Sequence, residues 1–135
     1  MGKTIAWSGK SKIRMQLQFN IIVRALRKQK SKAMGFYPDY RCAYRGANGN
    51  KCAIGHLIPD ELYDSCYDEM LVEEDVIIAL AKKGLFIRSD FFARMQRIHD
   101  NCAPDQWEAE WAVAAHKFDL TIPRPTKASP YLESA

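Results

Sequence analysis

The sequence predicts a single, mostly helical α+β domain in which about four helices pack around one β-hairpin. Two observations predict this fold class. Four segments repeat their apolar residues at helical spacing, whereas residues 42–56 hold two short apolar runs around a glycine-containing turn. Two strands do not form a stable sheet alone, so the helices are expected to cover the apolar face of the hairpin.

The first predicted helix extends from about Ser11 to Met34. Its apolar residues recur at positions i, i+4, i+7 and i+11 and define one buried stripe: Met15, Phe19, Ile22 and Leu26. Gly35 and Pro38 are expected to end the helix, because glycine favours the C-terminal cap and proline cannot continue a helix. The preceding residues, 1–10, form a predicted N-terminal arm.

The predicted hairpin turns at Asn48 and Gly49, which both tolerate the left-handed backbone conformation. A three-residue connection, Ala47 to Gly49, pairs residues whose numbers sum to 96 and separates apolar from basic side chains. We therefore prefer this register to that of a two-residue connection. The core face then holds Cys42, Tyr44, Cys52, Ile54 and His56, and the solvent face holds Arg41, Arg45 and Lys51.

Three further helices are predicted downstream. The segment LVEEDVIIALAKKG begins with acids and ends with two lysines and a glycine, which is the charge order that helices favour. SDFFARMQRIHDNC starts at the candidate cap Ser89, and PDQWEAEWAVAAHKFDL has an amphipathic pattern with two tryptophans. These helices complete a globular domain over residues 11–120, and a proline-containing tail is expected over residues 121–135.

The charge of the chain is divided between its two parts. Residues 1–51 contain twelve Lys and Arg against one acid, a net charge of +11, whereas residues 52–135 have a net charge of −7. This division is typical of a surface that binds an acidic partner, although two halves that neutralise each other on folding explain it as well. The predicted contact surface comprises Arg24, Arg27, Lys28, Arg41, Tyr44, Arg45 and Lys51. Its predicted partner is a protein, with DNA or RNA as the alternative.

The sequence also indicates a compartment. No stretch approaches the ~20 apolar residues of a membrane-spanning helix, and the first residues lack a signal-peptide core. We therefore expect a cytoplasmic protein without a membrane partner, in which the four cysteines stay reduced. Neither composition nor charge sets the oligomeric state.

Cysteine and histidine side chains offer two chemical alternatives. Thiol catalysis would use Cys52 or Cys42 with His56 or His99 as the base. Asp100 or Asp60 would orient that base, provided that residues 42–56 and 96–102 meet in space. A zinc site would take its ligands from Cys42, Cys52, His56, His99 and Cys102, but their spacings lack the C-x2-C knuckle of a specific zinc motif.

Structural roles explain the same residues, because buried free cysteines are common in cores and a histidine near a helix C-terminus interacts with the last carbonyls. The sequence therefore assigns no catalytic residue and predicts no cofactor. A small-ligand pocket remains the third functional alternative. It would be built from eight residues: Cys42, Tyr44, Arg45, Cys52, His56, Gln96, His99 and Asp100.

One motif occupies the segment after the first helix. Residues 42–46 read C-x-Y-R-G, residues 51–63 read K-C-A-I-G-H-L-I-P-D-E-L-Y, and residues 96–100 read Q-x-I-H-D. The pattern resembles a group of small proteins of phages, prophages and bacteria without an established activity, over roughly residues 15–118. The resemblance implies a phage-type accessory protein that binds a host protein in the cytoplasm of the host cell. It implies no catalytic residue, so a non-enzymatic role is expected.

Overall fold

The computed structural model describes residues 9–34, 43–69 and 73–125, and four α-helices organise this part of the chain. α1 spans Gly9–Gln29, α2 spans Glu73–Lys82, α3 spans Ser89–Asn101 and α4 spans Trp107–Phe118. Short 3₁₀ turns lie between them: Ala47–Gly49, Gly55–Leu57, Asp60–Leu62, Ser65–Glu69 and Pro104–Gln106. No helix in the described ranges has both the length and the apolar character needed to cross a membrane.

The predicted β-hairpin is wrong, and with it the α+β fold class. The residues that the structure describes contain no β-strand, and Arg45 pairs with Lys51 in an isolated antiparallel bridge. This bridge has the register expected for a three-residue connection. Asn48 and Gly49 take the positive φ angles of 62° and 75° that the turn needs. The turn predicted from Asn48 and Gly49 therefore forms, but the described residues on either side of it do not form two strands.

The chain leaves the extended conformation immediately after Cys52. The N–H of Cys52 donates to the carbonyl of Tyr44 at 3.4 Å. Two residues later, Ile54 has a helical backbone, with φ −65° and ψ −38°. The N–H of His56 then donates to the Cys52 carbonyl at 3.0 Å. Both strands would have to continue past this point to form a ladder, so the segment is a compact turn instead. Arg41 and Cys42, from the predicted first strand, lie outside the described residues.

The predicted core stripe of α1 is confirmed. Met15, Phe19, Ile22 and Leu26 are each at most 1% exposed. They join a core to which α3 contributes Phe91, whose ring meets Phe19 edge-on at a centroid distance of 6.3 Å. α3 also packs on α4, and one cluster of buried apolar side chains connects these three helices.

α1 ends at Gln29, whereas the sequence predicts an end near Met34. Lys30 adopts a positive φ of 65°, and its N–H donates to the carbonyl of Leu26 at 2.8 Å, which caps the helix. Ala33 then enters the core with no exposed surface. The early end of the helix thus brings residues 31–34 against the rest of the molecule.

The chain after α4 returns along α1. Lys12 forms an ion pair with Asp119, and the side-chain amide of Gln16 bonds both backbone groups of Thr121. Further along α1, Arg27 Nη1 donates to the carbonyl of Pro123 at 2.8 Å. Residues 119–123 are therefore held against the first helix by polar contacts.

Candidate functional site

The two polar clusters of the sequence meet in the structure. Gln96 lies on α3, is 5% exposed, and accepts a hydrogen bond at Oε1 from the N–H of Ile54 at 3.1 Å. Its Nε2 donates to the carboxylate of Asp100 at 3.1 and 3.3 Å. We call the network of Cys52, Gln96, His99 and Asp100 the buried clasp. It joins α3 to the turn that replaces the predicted hairpin.

His99 is fully buried in the clasp, and both of its ring nitrogens have partners. Nε2 accepts a hydrogen bond from the N–H of Ala33 at 3.1 Å, so the proton is on Nδ1, which donates to Asp100 Oδ1 at 2.8 Å. The ring stacks on Trp107 at a centroid distance of 5.6 Å. A base needs an unoccupied nitrogen, and here the available lone pair already holds a backbone amide. His99 and Asp100 thus connect α3 to the segment after α1.

Cys52 has the opposite properties from those of a catalytic thiol. Its side chain is fully buried, and this burial raises the pKa of the thiol well above its usual value. The sulfur accepts a hydrogen bond from the N–H of Gly55 at 3.3 Å. Reactive cysteines are accessible and have depressed pKa values. Cys52 therefore stabilises the turn as a neutral, packed group.

His56 bonds to Gln29 at the end of α1. The ring Nε2 lies 3.0 Å from Gln29 Oε1, an acceptor, so Nε2 carries the proton. Gln29 Oε1 also accepts the N–H of Lys51, and Gln29 Nε2 donates to the Lys51 carbonyl, each at 2.9 Å. Burial, reinforced by the charge of Lys51, lowers the pKa of His56 to about 4. His56 is therefore neutral near pH 7 and forms a structural contact.

The metal candidates that the structure describes do not form a set of three ligands. No group of three or more His, Cys, Asp or Glu side chains in the described ranges is arranged to hold a metal ion. Cys102 follows α3, and its carbonyl accepts the indole N–H of Trp107 at 3.1 Å. Cys42, the remaining candidate ligand, lies outside the described residues.

Two of the predicted binding arginines are held by carboxylates. Arg27 forms a two-point ion pair with Glu108, at 2.6 Å from Nε and 2.8 Å from Nη2. Arg45 Nη2 lies 2.7 Å from Asp60, and its guanidinium covers the ring of Tyr63 at 4.2 Å. These residues fix the tertiary structure, as expected if the two oppositely charged parts of the chain neutralise each other.

The other predicted binding residues differ in exposure. Tyr44 is 9% exposed, with its N–H donating to Asp68, and Lys51 is half-buried beside Gln29. Arg24 and Lys28 are exposed, and neither forms an ion pair within the described part of the chain. Arg41 lies outside that part. Of the predicted contact surface, Arg24 and Lys28 remain available on α1.

A groove of about 390 Å³ lies between the end of α1 and the start of α4. Trp107 and Trp111 line it, and the ion pair between Arg27 and Glu108 forms part of its wall. The volume falls within the range of small-ligand sites. Its arginine and glutamate already neutralise each other, so they leave no net charge to select a ligand. The groove is also separate from the clasp residues that the predicted ligand pocket would have used.

Sequence reasoning missed a second apolar stripe on α1. Ile13, Leu17 and Ile21 are 61%, 55% and 49% exposed, although they repeat at i, i+4 and i+8. Arg24 and Lys28 continue the same side of the helix towards its C-terminus, because Arg24 is i+3 from Ile21 and Lys28 is i+7 from it. We call these five residues the outer face of α1. The signal was present in the sequence, because Ile13, Leu17 and Ile21 repeat every four residues, as residues on one helix face do.

Comparison with protein-family models, with curated proteins and with solved structures finds no match to this chain. The resemblance to small phage-type proteins therefore stays a prediction from the motif. The structure gives most of the motif's polar residues a role in holding the fold together.

Proposed function

We propose that the protein is a non-enzymatic binding domain that contacts a partner protein through the outer face of α1. The observation that carries this proposal is the stripe of Ile13, Leu17 and Ile21, whose side chains are 49–61% exposed. Single exposed aliphatic residues are ordinary on protein surfaces, but a contiguous set on one helix face is typical of a contact surface. If the phage-type resemblance holds, the partner is a protein of the bacterial host.

The buried clasp supports a role other than catalysis. The Cys52 sulfur and both ring nitrogens of His99 are buried and already hydrogen-bonded. His56 has its proton on the nitrogen that binds Gln29. Using any of these groups on a substrate would break a contact that positions the turn or α1. Arg24 and Lys28 on α1, by contrast, are exposed and form no ion pair within the described part of the chain.

Site-specific photo-crosslinking tests the proposal. A photoreactive amino acid at position 17 should crosslink to one defined protein in cells that make this protein, and the same group at position 113 should not. Val113 on α4 is the matched control, because it is 54% exposed and Leu17 is 55% exposed. Equal crosslinking at both positions, or adducts that nuclease removes, would show that the stripe is not a protein contact.

Affinity for the crosslinked partner gives a quantitative second test. Covering the exposed half of a leucine contributes about 1–1.5 kcal/mol, so Leu17→Gln should weaken binding about five- to tenfold. Val113→Gln should leave the affinity unchanged. A partner whose affinity falls steeply with salt but does not respond to Leu17→Gln would be bound through charge alone, as nucleic acid is.

A further inference from the structure

We infer that the partner of the outer face of α1 is an acidic amphipathic helix. Its apolar residues would cover Ile13, Leu17 and Ile21, and its carboxylates would pair with Arg24 and Lys28. This inference rests on the proposed function and adds the chemistry and secondary structure of the partner.

The geometry of the stripe favours a helix as the docking element. Ile13, Leu17 and Ile21 form a ridge of side chains four residues apart, about 12 Å long at 1.5 Å per residue. Ridges with this spacing pack into the grooves of a second helix, which offers side chains at the same interval. The stripe projects from the surface of α1, and a helix with apolar residues at i, i+4 and i+7 matches its length and its shape.

The charge of α1 selects an acidic partner. Residues 9–34 contain no Asp or Glu, so nothing on α1 itself neutralises Arg24 and Lys28. A second copy of this chain offers no acidic residue to this face. A parallel copy would place Arg24 and Lys28 beside their own counterparts, and an antiparallel copy would place them near the N-terminal turn of α1, whose sequence GKSK contains lysine and no acid. Like charges in a contact cost free energy, which makes self-association through this face unfavourable. A partner with glutamates or aspartates over the C-terminal half of the face removes that cost.

The order of residues along the helix axis argues against a membrane or nucleic acid. The apolar residues occupy the N-terminal part of the outer face, and Arg24 and Lys28 lie about 5 and 10 Å beyond Ile21. A helix that lies flat on a bilayer meets the same lipid environment along its whole length. It therefore needs apolar residues along its whole length, and this face has an apolar half followed by a basic half. A phosphate backbone would pair with the basic half and leave the three aliphatic side chains uncovered. A helix with separate apolar and acidic parts satisfies both halves.

A displayed peptide library provides the test. The library consists of helical peptides of about 18 residues, or five turns, with leucine at i, i+4 and i+7 and with Glu, Lys or Gln at the remaining positions. Selection is carried out on the full chain and, in parallel, on Leu17→Gln, on the double variant Arg24→Glu/Lys28→Glu, and on the control Val113→Gln. All changed residues are exposed, and a circular dichroism melt of each variant verifies its fold. If Leu17→Gln does not fold, Ile13→Gln replaces it.

We expect peptides with glutamates grouped beyond one end of the leucine stripe to be enriched on the wild type and on Val113→Gln. Their enrichment should fall about tenfold on Leu17→Gln. On Arg24→Glu/Lys28→Glu the preference should reverse, so that lysine-rich peptides are enriched. That reversal would not follow if the two basic residues acted only on stability.

Three outcomes would overturn the inference. Enriched peptides that depend on Leu17 but are neutral or basic would refute an acidic partner and leave the proposed function in place. No peptide that depends on Leu17 would remove both. Binding of phosphatidylserine-containing vesicles or of a DNA duplex, tested in the same format and lost on Leu17→Gln, would replace the acidic helix with a lipid surface or nucleic acid.

Discussion

Replacing Gln96 with leucine should destabilise the protein by about 2 kcal/mol, because Gln96 links α3 to the turn at Ile54. The change keeps the approximate size of the side chain and removes its polar atoms. The N–H of Ile54 then loses its partner at 3.1 Å in a position with no exposed surface. An unsatisfied buried donor costs about 1–3 kcal/mol.

Two smaller contributions complete the calculation of the change in stability. The bonds from Gln96 Nε2 to Asp100 are also lost, and that carboxylate is 33% exposed, so water replaces part of them. This loss adds about 0.5–1.5 kcal/mol. Burial of the more apolar leucine side chain stabilises the variant by about 1 kcal/mol. The net loss is about 2 kcal/mol.

Urea unfolding followed by tryptophan fluorescence measures the effect. With an m-value of about 2 kcal/mol per molar, the midpoint of Gln96→Leu should fall by about 1 M. Arg97→Leu is the matched control, since it introduces the same residue at the next, exposed position of α3 and should change stability by less than about 0.5 kcal/mol. If both variants unfold at the same urea concentration, the Ile54 N–H does not depend on Gln96 and the clasp does not fix the turn.

Three further predictions follow from the same region. The pKa of His56 is about 4 in the folded protein and 6.5 in the unfolded chain, so the unfolded chain binds more protons between these values. The contribution of His56 to the free energy of unfolding should therefore be fully present above pH 6.5 and should be lost as the pH drops towards 4. The expected loss is about 1–2 kcal/mol after allowance for the partial exposure of the ring. His56→Gln should remove this part of the pH dependence in urea titrations. Gly55→Ala should prevent folding or destabilise the protein by more than about 3 kcal/mol, because a Cβ there would overlap the carbonyl of Tyr44. Gly49→Ala should destabilise it by only about 1–2 kcal/mol, because the added Cβ has open space and the only cost is the φ of 75°. Thermal melts of the two variants measure the difference. Iodoacetamide mapping by mass spectrometry should label the exposed Cys66 and spare Cys52 until the protein unfolds.

Each of these predictions has a clear contrary result. An unchanged pH profile in His56→Gln would mean that the histidine titrates alike in both states. Equal melting temperatures for the two alanine variants would contradict the close approach at Gly55. Rapid alkylation of Cys52 in the native protein would show that its thiol is accessible.

The sequence predicts most of the helical core and misses the connection after Cys52. The stripe of α1 depends on the spacing of residues within one helix, which is local information. The failure of the hairpin depends on Gln96, which binds the Ile54 N–H across 42 positions of sequence. Turn signals such as Asn48-Gly49 act over a few residues and do not register a distant acceptor. Tertiary hydrogen bonding therefore overrides the local preference for strands.

The candidate site follows the same logic. The residue types around His99 and Asp100 indicated a polar cluster, but the sequence left open whether this cluster meets the motif segment. Their role depends on the N–H of Ala33, 66 positions away, which occupies the nitrogen that a base would use. Likewise, Arg27 pairs with Glu108 across 81 positions, so it is not available to a partner. No spacing rule reveals such pairs, because they join elements whose relative placement is set by the whole core.

α1 and the segment that packs along it are made at different times. Gln16 precedes its hydrogen-bond partner Thr121 by 105 residues. At about 5–20 residues per second, a ribosome needs about 5–20 s to bridge that gap. During this interval the nascent chain carries uncovered aliphatic side chains on two sides of its first helix. The yield of the protein in a cell should therefore depend on translation speed and on chaperones that bind nascent chains.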